Sequence, residues 1–247
     1  MPKYWCPILI NQTHLTLFEG THLAYIFGII VFCIAGPLLG KFYCRNPEFK
    51  KKWVTGLVWF TVIQEVFDYL NRMQVRELNL ELDLPLHLCH IALLASTIAL
   101  YNKNMILFES AYFWGIGASF QAILTPDMSD FDNNFSLVTF YLHHALIIAH
   151  VLWLIVVEKM ECRQGSVFRT MVITNICAAV IYPINLIIGG KANYMYLIDK
   201  PPVNNPLLMG EWPWYILNLE IIIILYMGLL YIPFFLKNFK STAIDQT

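Results

Sequence analysis

The sequence predicts an all-α polytopic membrane protein, a single seven-helix transmembrane bundle occupying residues 1–247, and three observations predict it. Hydrophobic residues make up 58% of the chain and charged residues only 13%, about half the charged share of a soluble domain. The apolar residues gather in seven runs near the length that carries a helix across roughly 30 Å of hydrocarbon. None has the period-two alternation of a barrel strand, so each run satisfies its backbone groups internally, as a helix.

In chain order the runs span 22–40, 53–70, 85–101, 105–124, 136–157, 167–189 and 213–236. The first follows the polar stretch Asn11-Gln12-Thr13-His14 instead of a basic region, and no small-residue cleavage site follows it, so it reads as a retained helix and not a signal peptide. The second carries Glu65 and Asp68 near its far end. The third is the shortest and opens at Asp83-Leu84-Pro85, with Pro85 expected at the first helical position. The fourth ends at Gln121, the fifth carries the pair His143-His144, and the sixth closes at Asn185 and Gly189. The seventh opens on Trp212-Pro213-Trp214-Tyr215, a group that suits a membrane interface. Most loops are short, which makes neighbouring helices antiparallel and leaves no room for a second domain. No internal repeat is apparent.

Orientation follows from the loop cations. One side holds eleven Lys and Arg, among them Lys50, Lys51, Lys52, Arg163 and Arg169, and the other holds five. The richer side contains the C-terminus, which is therefore expected in the cytosol. An odd number of spans puts the N-terminus outside, with the loop bearing Asp127, Asp130 and Asp132 and the long loop from Gly190 to Trp212.

With this orientation the polar intramembrane residues are lopsided in depth. His22, Glu65, Asp68, His87, Cys89, His90, Gln121, His143, His144, Asn185, Asn218 and Glu220 all fall in the outer third, while the inner half keeps chiefly Glu109, His150 and Asn175. Helix ends are wetter than centres and tolerate polar groups. The inner ends are equally wet, yet they carry Phe, Leu, Val and Lys, so one shared polar chamber explains the asymmetry better.

Within that chamber the residues suggest covalent chemistry. Cys89 is expected near the positive end of the third helix, which favours an anion. His87 is two residues away, about 200° around the axis, so a base must come from another helix. His143 and His144 are adjacent at similar depth, and one of them faces inward whatever the helix rotation. Cys89 with His144 or His143 is thus the candidate nucleophile and base, with Glu65 or Asp68 orienting a histidine. Against this, a free helical Cys most often packs as a small hydrophobe. His22, Gln121, Asn185, Asn193, Tyr194, Trp214, Asn218 and Glu220 are the candidate substrate-binding residues.

The run Leu84-Pro85-Leu86-His87-Leu88-Cys89 carries a resemblance, together with Trp114-Gly115 through Gln121 to Thr125-Pro126-Asp127 and the His143-His144 pair. Asn193-Tyr194-Met195-Tyr196-Leu197, Lys200-Pro201 and Gly210-Glu211-Trp212-Pro213-Trp214-Tyr215 complete it. In this order the motifs resemble the YwaF-like family of integral membrane proteins, from about Phe18 to Tyr215. An animal relative of that family is proposed to transfer an acyl chain onto lysophospholipids, including ether lipids, through a cysteine in the matching helix-three motif. The resemblance implies that Cys89 is such a nucleophile and that the protein is a lipid acyltransferase.

Net charge of -1 and the lack of a basic stripe exclude nucleic acid as the main partner. Six scattered cysteines without a CxxC pair indicate neither a disulfide framework nor a structural zinc site. Membrane lipids and an acyl substrate are the expected partners, and no cofactor is expected. Two other classes compete. A zinc-dependent lipid hydrolase would draw on His22, His87, His143 or His144 with Glu65 or Asp68. Ceramidase-type and adiponectin-receptor-type hydrolases, however, place an H-x-x-x-H pair on helix seven, which here has no histidine. A transporter would keep its site near the midplane between repeated halves, and a retinal receptor would need a lysine within 213–236, where there is none.

Overall fold

The computed structural model describes residues 16–126, 131, 133–200 and 209–244. The polar stretch 11–14, Pro201 and the acidic residues Asp127, Asp130 and Asp132 lie outside these. No strand occurs among the described residues. The helices are α1 (Gly20–Tyr43), α2 (Pro47–Val75), α3 (Leu88–Asn102) and α4 (Met105–Trp114), which continues through a π segment (Gly115–Ser119) into α5 (Phe120–Leu124). After these come α6 (Asn134–Val156), α7 (Ser166–Ile188), a 3₁₀ turn (Tyr194–Tyr196) and α8 (Trp214–Ile244).

Local chemistry sets these boundaries. Asn46 accepts from the Glu48 and Phe49 amides and Pro47 follows it, so α2 starts there. Asn104 caps α4 in the same way, while Lys103 adopts a left-handed conformation at φ 58° and ends α3. Asn133 and Ser136 form a reciprocal capping box at the start of α6.

The third helix corrects the expectation that Pro85 opens it. Helix begins at Leu88 with His87 as the extended N-cap, because the Leu84 amide is drawn off to the Tyr194 hydroxyl at 2.9 Å and Pro85 disfavours helical backbone at the residue before it. Cys89 is consequently the second helical residue, closer to the helix's positive end than predicted.

Among the described residues four helices are long and apolar enough to cross a membrane: α1, α6, α7 and residues 214–237 of α8. The other predicted runs fall short for visible reasons. Charged residues such as Glu65, Asp68 and Arg72 lower the hydropathy of α2, α3 has only 15 residues, and the π segment divides the fourth run.

The packing is radial around α6, which touches α1, α2, α3, α4, the π segment and α5. Of its apolar window 67% is buried, against 17% for α1, 22% for α7 and 11% for α8. The peripheral helices instead present Phe27, Phe67, Phe168, Ile187 and Leu225 outward. Contiguous apolar surface on this scale suits hydrocarbon and not water.

One close approach is a useful probe of this packing. The Trp153 ring occupies the space a Cβ on Gly40 would take, and it stacks on Trp53 with centroids 6.1 Å apart. Gly40→Ala is therefore expected to cost about 1–3 kcal/mol through overpacking between α1 and α6. The measurement is the thermal midpoint in detergent, and an unchanged midpoint would contradict tight α1–α6 packing.

Candidate functional site

The site is built where the C-terminal half of α2 meets the N-terminal halves of α3 and α6. Its first requirement is that the turn leading into α3 be fixed, and a carboxylate does this. Asp83 accepts from Arg76 at 2.6 and 2.7 Å, from Arg72 at 3.3 Å and from the Asn79 amide at 2.7 Å. The Tyr194 hydroxyl adds a second tie, accepting from the Leu84 amide and donating to the Leu80 carbonyl at 2.7 Å. Asn185 in turn holds Tyr194 by both its backbone groups, at 2.9 and 3.0 Å. This anchored loop delivers His87 and Cys89 to the bundle.

Burial alone would raise the Asp83 pKa, but the Arg76 guanidinium and the Asn79 amide outweigh it and hold the carboxyl below its usual range. A depressed folded-state value means the stabilisation is complete above the unfolded value, about 3.9, and disappears as pH falls through the folded value. The thermal midpoint is expected to be flat from neutral pH down to about 5 and to drop below about 4. Asp83→Asn should start lower and lose part of that acid-side drop, and an identical pH profile in this variant would refute the assignment.

His90 Nδ1 lies 3.7 Å from the Cys89 sulfur, and His143 and His144 lie near enough to it to interact electrostatically. His143 Nδ1 lies 2.7 Å from Glu65 Oε1, and since a carboxylate only accepts, Nδ1 carries the proton and Nε2 keeps its lone pair in the neutral ring. That Nε2 is buried and has no hydrogen-bond partner. His144 is set by the same logic, because its Nδ1 sits 2.8 Å from the Phe140 carbonyl oxygen. Both adjacent histidines therefore turn a proton-accepting nitrogen away from their anchors. His90 packs on His143 with ring centroids 4.9 Å apart.

A second polar layer lies directly beneath. His150 is two turns below His143, Ser96 two turns below Cys89 and Thr61 one turn below Glu65, so the layers are separated by roughly 10 Å at most. The fully buried His150 ring sits between Ser96 Oγ and Thr61 Oγ1, each 3.2 Å away. Ser96 Oγ and Thr61 Oγ1 also lie 2.9 Å from the Leu93 and Leu57 carbonyls, so a neutral imidazole donates to one hydroxyl, which donates on to its carbonyl, and accepts the proton of the other. The layer joins the same three helices and satisfies its polar groups internally, as an apolar surrounding demands.

The other residues expected in the chamber go elsewhere. Asp68 is 2.9 Å from Arg72 Nε and 2.5 Å from Thr139 Oγ1, and it orients no histidine. His87 lies against the rings of Tyr194 and Tyr196, at 5.1 and 5.6 Å. His22 is fully buried, accepts from the Phe18 amide and faces the Ile123 carbonyl, so both ring nitrogens are occupied in tying α1 to α5. Asn193 closes its own loop on Ile198 and Asp199. Gln121 bonds Thr125, and Asn218 reaches the Met209 carbonyl. Trp214 is exposed and Glu220 half-buried, both on the peripheral helix α8. His90, a chamber residue by depth for which the sequence predicts no role, stands beside Cys89 and packs on His143.

Comparison with known proteins adds a family but no chemistry. The family model described as the TMEM164 family matches residues 17–231. An uncharacterized protein of Treponema pallidum (strain Nichols) is 29% identical over 155 residues, which is 62% of this chain and 62% of that protein. No solved structure matches.

Proposed function

The chain belongs to the TMEM164 family, and from that premise we propose that it is an integral membrane enzyme transferring acyl groups between phospholipids through a thioester on Cys89. The observation that carries the reading is the pairing of Glu65 with His143 Nδ1 at 2.7 Å, a carboxylate behind a histidine that packs on His90, whose own Nδ1 is 3.7 Å from the Cys89 thiol. The resemblance to YwaF-like proteins, whose animal relative is proposed to transfer acyl chains, supports it.

In this reading His143 Nε2 takes the thiol proton and Glu65 stabilises the imidazolium that forms. The thiolate attacks the ester carbonyl of a donor phospholipid, and the oxyanion is received by the backbone amides of Leu88 and Cys89, which as first-turn amides of α3 lack intrahelical acceptors. The carbon–oxygen bond breaks, the leaving lysophospholipid oxygen takes the proton from His143, and a thioester remains. The hydroxyl of an acceptor lysophospholipid then gives its proton to His143 and attacks the thioester. The thiolate departs and recovers the proton, so nothing is oxidised or consumed beyond the exchanged ester. We further propose seven membrane spans with the N-terminus outside, which puts this site beneath the outer headgroups with lateral entry from the bilayer.

The test is to trap the intermediate. Full-length protein is incubated with a phospholipid donor, acid-quenched and digested, and the Cys89 peptide is expected to gain the acyl mass, removable by hydroxylamine. Acyl transfer that persists in Cys89→Ala would exclude the covalent route.

A further inference from the structure

Of the three imidazoles near Cys89, two turn their Nδ1 atoms to other partners. His143 Nδ1 faces Glu65 at 2.7 Å and His144 Nδ1 faces the Phe140 carbonyl oxygen at 2.8 Å. His90 Nδ1 instead lies 3.7 Å from the Cys89 sulfur, a hydrogen-bonding separation for an atom of that size. The two residues are neighbours in the first turn of α3, and both are half-buried, whereas His143 and His144 are buried. The polarity of the contact follows from counting protons. A thiol has only one, and in the proposed transfer it passes to His143, where the Glu65 hydrogen bond favours the charged ring. A second cationic ring is disfavoured beside it, because His90 packs on His143 with centroids 4.9 Å apart. His90 therefore meets the thiolate as a neutral ring, and only as a donor, with the proton on Nδ1 and the lone pair on Nε2.

We propose that His90 is a further catalytic residue, a neutral Nδ1–H donor that holds the Cys89 thiolate before it attacks and receives it again when the thioester breaks. Its own proton stays on Nδ1 throughout. The protons that move do so through His143, so the balance of the ester exchange is unchanged. A hydrogen bond to an anion is roughly twice as strong as one to a neutral acceptor. The thioester sulfur between the two steps is neutral, so the donor favours the charge that the sulfur carries on either side of it. The effect on acyl transfer rests on the function proposed above, whereas the hydrogen bond to the thiolate does not.

Two substitutions separate the donor from the ring. His90→Phe keeps the ring and removes the donor, while His90→Asn keeps an amide N–H at the place of Nδ1 and cannot take up a proton. Full-length protein in nanodiscs is alkylated with N-ethylmaleimide at neutral pH, and the Cys89 peptide is followed by mass spectrometry against that of Cys177, a half-buried free thiol on α7. Because the thiolate is the nucleophile, His90→Phe should slow both Cys89 alkylation and acyl transfer by about tenfold or more, with Cys177 unchanged. His90→Asn should bring both back to within about threefold of the wild type. Elution as a single species and a thermal midpoint close to that of the wild type establish that each variant is folded, and His90→Leu replaces His90→Phe if it is not. Wild-type alkylation in His90→Phe would overturn the proposal. So would His90→Asn as slow as His90→Phe, since the ring would then be needed for its charge or as a proton acceptor. The expected alkylation pattern in a protein that transfers no acyl group would refute the proposed function and leave the thiolate's donor standing.

Discussion

Glu65→Gln is expected to lower acyl transfer by about 100-fold or more while moving the thermal midpoint little. The reason lies in what Glu65 touches. Its carboxylate fixes the His143 proton on Nδ1 across 2.7 Å and would stabilise positive charge on the ring during proton transfer. A glutamine of the same shape supplies no charge, and with its amide nitrogen toward the ring it selects the tautomer that cannot accept from Cys89. Losses of this kind range from about 10–100-fold for partners of a ligating histidine to roughly 10⁴-fold for the acid of a catalytic triad. Asp68→Asn is the matched control, because Asp68 bonds Arg72 and Thr139 and no histidine; it should lower stability and leave turnover per folded molecule nearly unchanged. His143→Gln should likewise exceed His144→Gln in effect, since behind His144 stands only the Phe140 carbonyl. Turnover that survives Glu65→Gln but is lost in His144→Gln would reassign the base to His144.

How far the sequence foretold this depends on the scale of the interaction. Helix periodicity and length are local, so α1, α2, α6 and α7 appear close to where the apolar runs put them. The convergence of Glu65, Cys89 and His143 was also legible, because residues of like depth on an antiparallel bundle have few places to meet. Rotation about each helix axis was not. Asp68 is three residues from Glu65 yet turns to Arg72 and Thr139, and His22 shares the depth of the cluster but ties α1 to α5. The late start of α3 was hidden for a different reason: the Tyr194 hydroxyl that engages Leu84 is 110 residues away. Asn185, Asn193 and Tyr194 look like chamber residues because they are polar, whereas Asn185 is spent on the Tyr194 backbone, Asn193 on Ile198 and Asp199, and the Tyr194 hydroxyl on Leu80 and Leu84. Composition at a given depth thus reveals that a polar network exists, and only the rotation of each helix separates reacting groups from those that fasten them.

The second large effect is on stability and concerns the opposite end of the bundle. Glu109 is 1% exposed and lies on α4, where it accepts from the Arg163 backbone amide at 3.1 Å and side chain at 2.9 and 3.2 Å. It also accepts from Arg169 at 2.9 and 3.0 Å. One carboxylate therefore binds α4 to the α6–α7 connection and to the first turn of α7, beside the Trp114–Thr174 hydrogen bond of 2.9 Å. Removing one partner of a buried ionic group costs about 3–5 kcal/mol when the remaining charge is stranded. Here Arg163 and Arg169 have side chains 48% and 34% exposed, so both can turn toward water, which places Glu109→Ala near the lower figure, about 3 kcal/mol. At roughly 2–4 °C per kcal/mol for a chain of this size, the thermal midpoint should fall by about 6–12 °C. Glu109→Gln should fall less, since its amide oxygen still accepts one guanidinium hydrogen bond. Cys89 is at the start of α3, whereas Glu109 lies on α4 just beyond the other end of α3, so the folded fraction of either variant should transfer acyl groups at the wild-type rate below its midpoint. A drop of under about 2 °C for Glu109→Ala would mean that headgroup contacts, and not the buried carboxylate, order the two arginines.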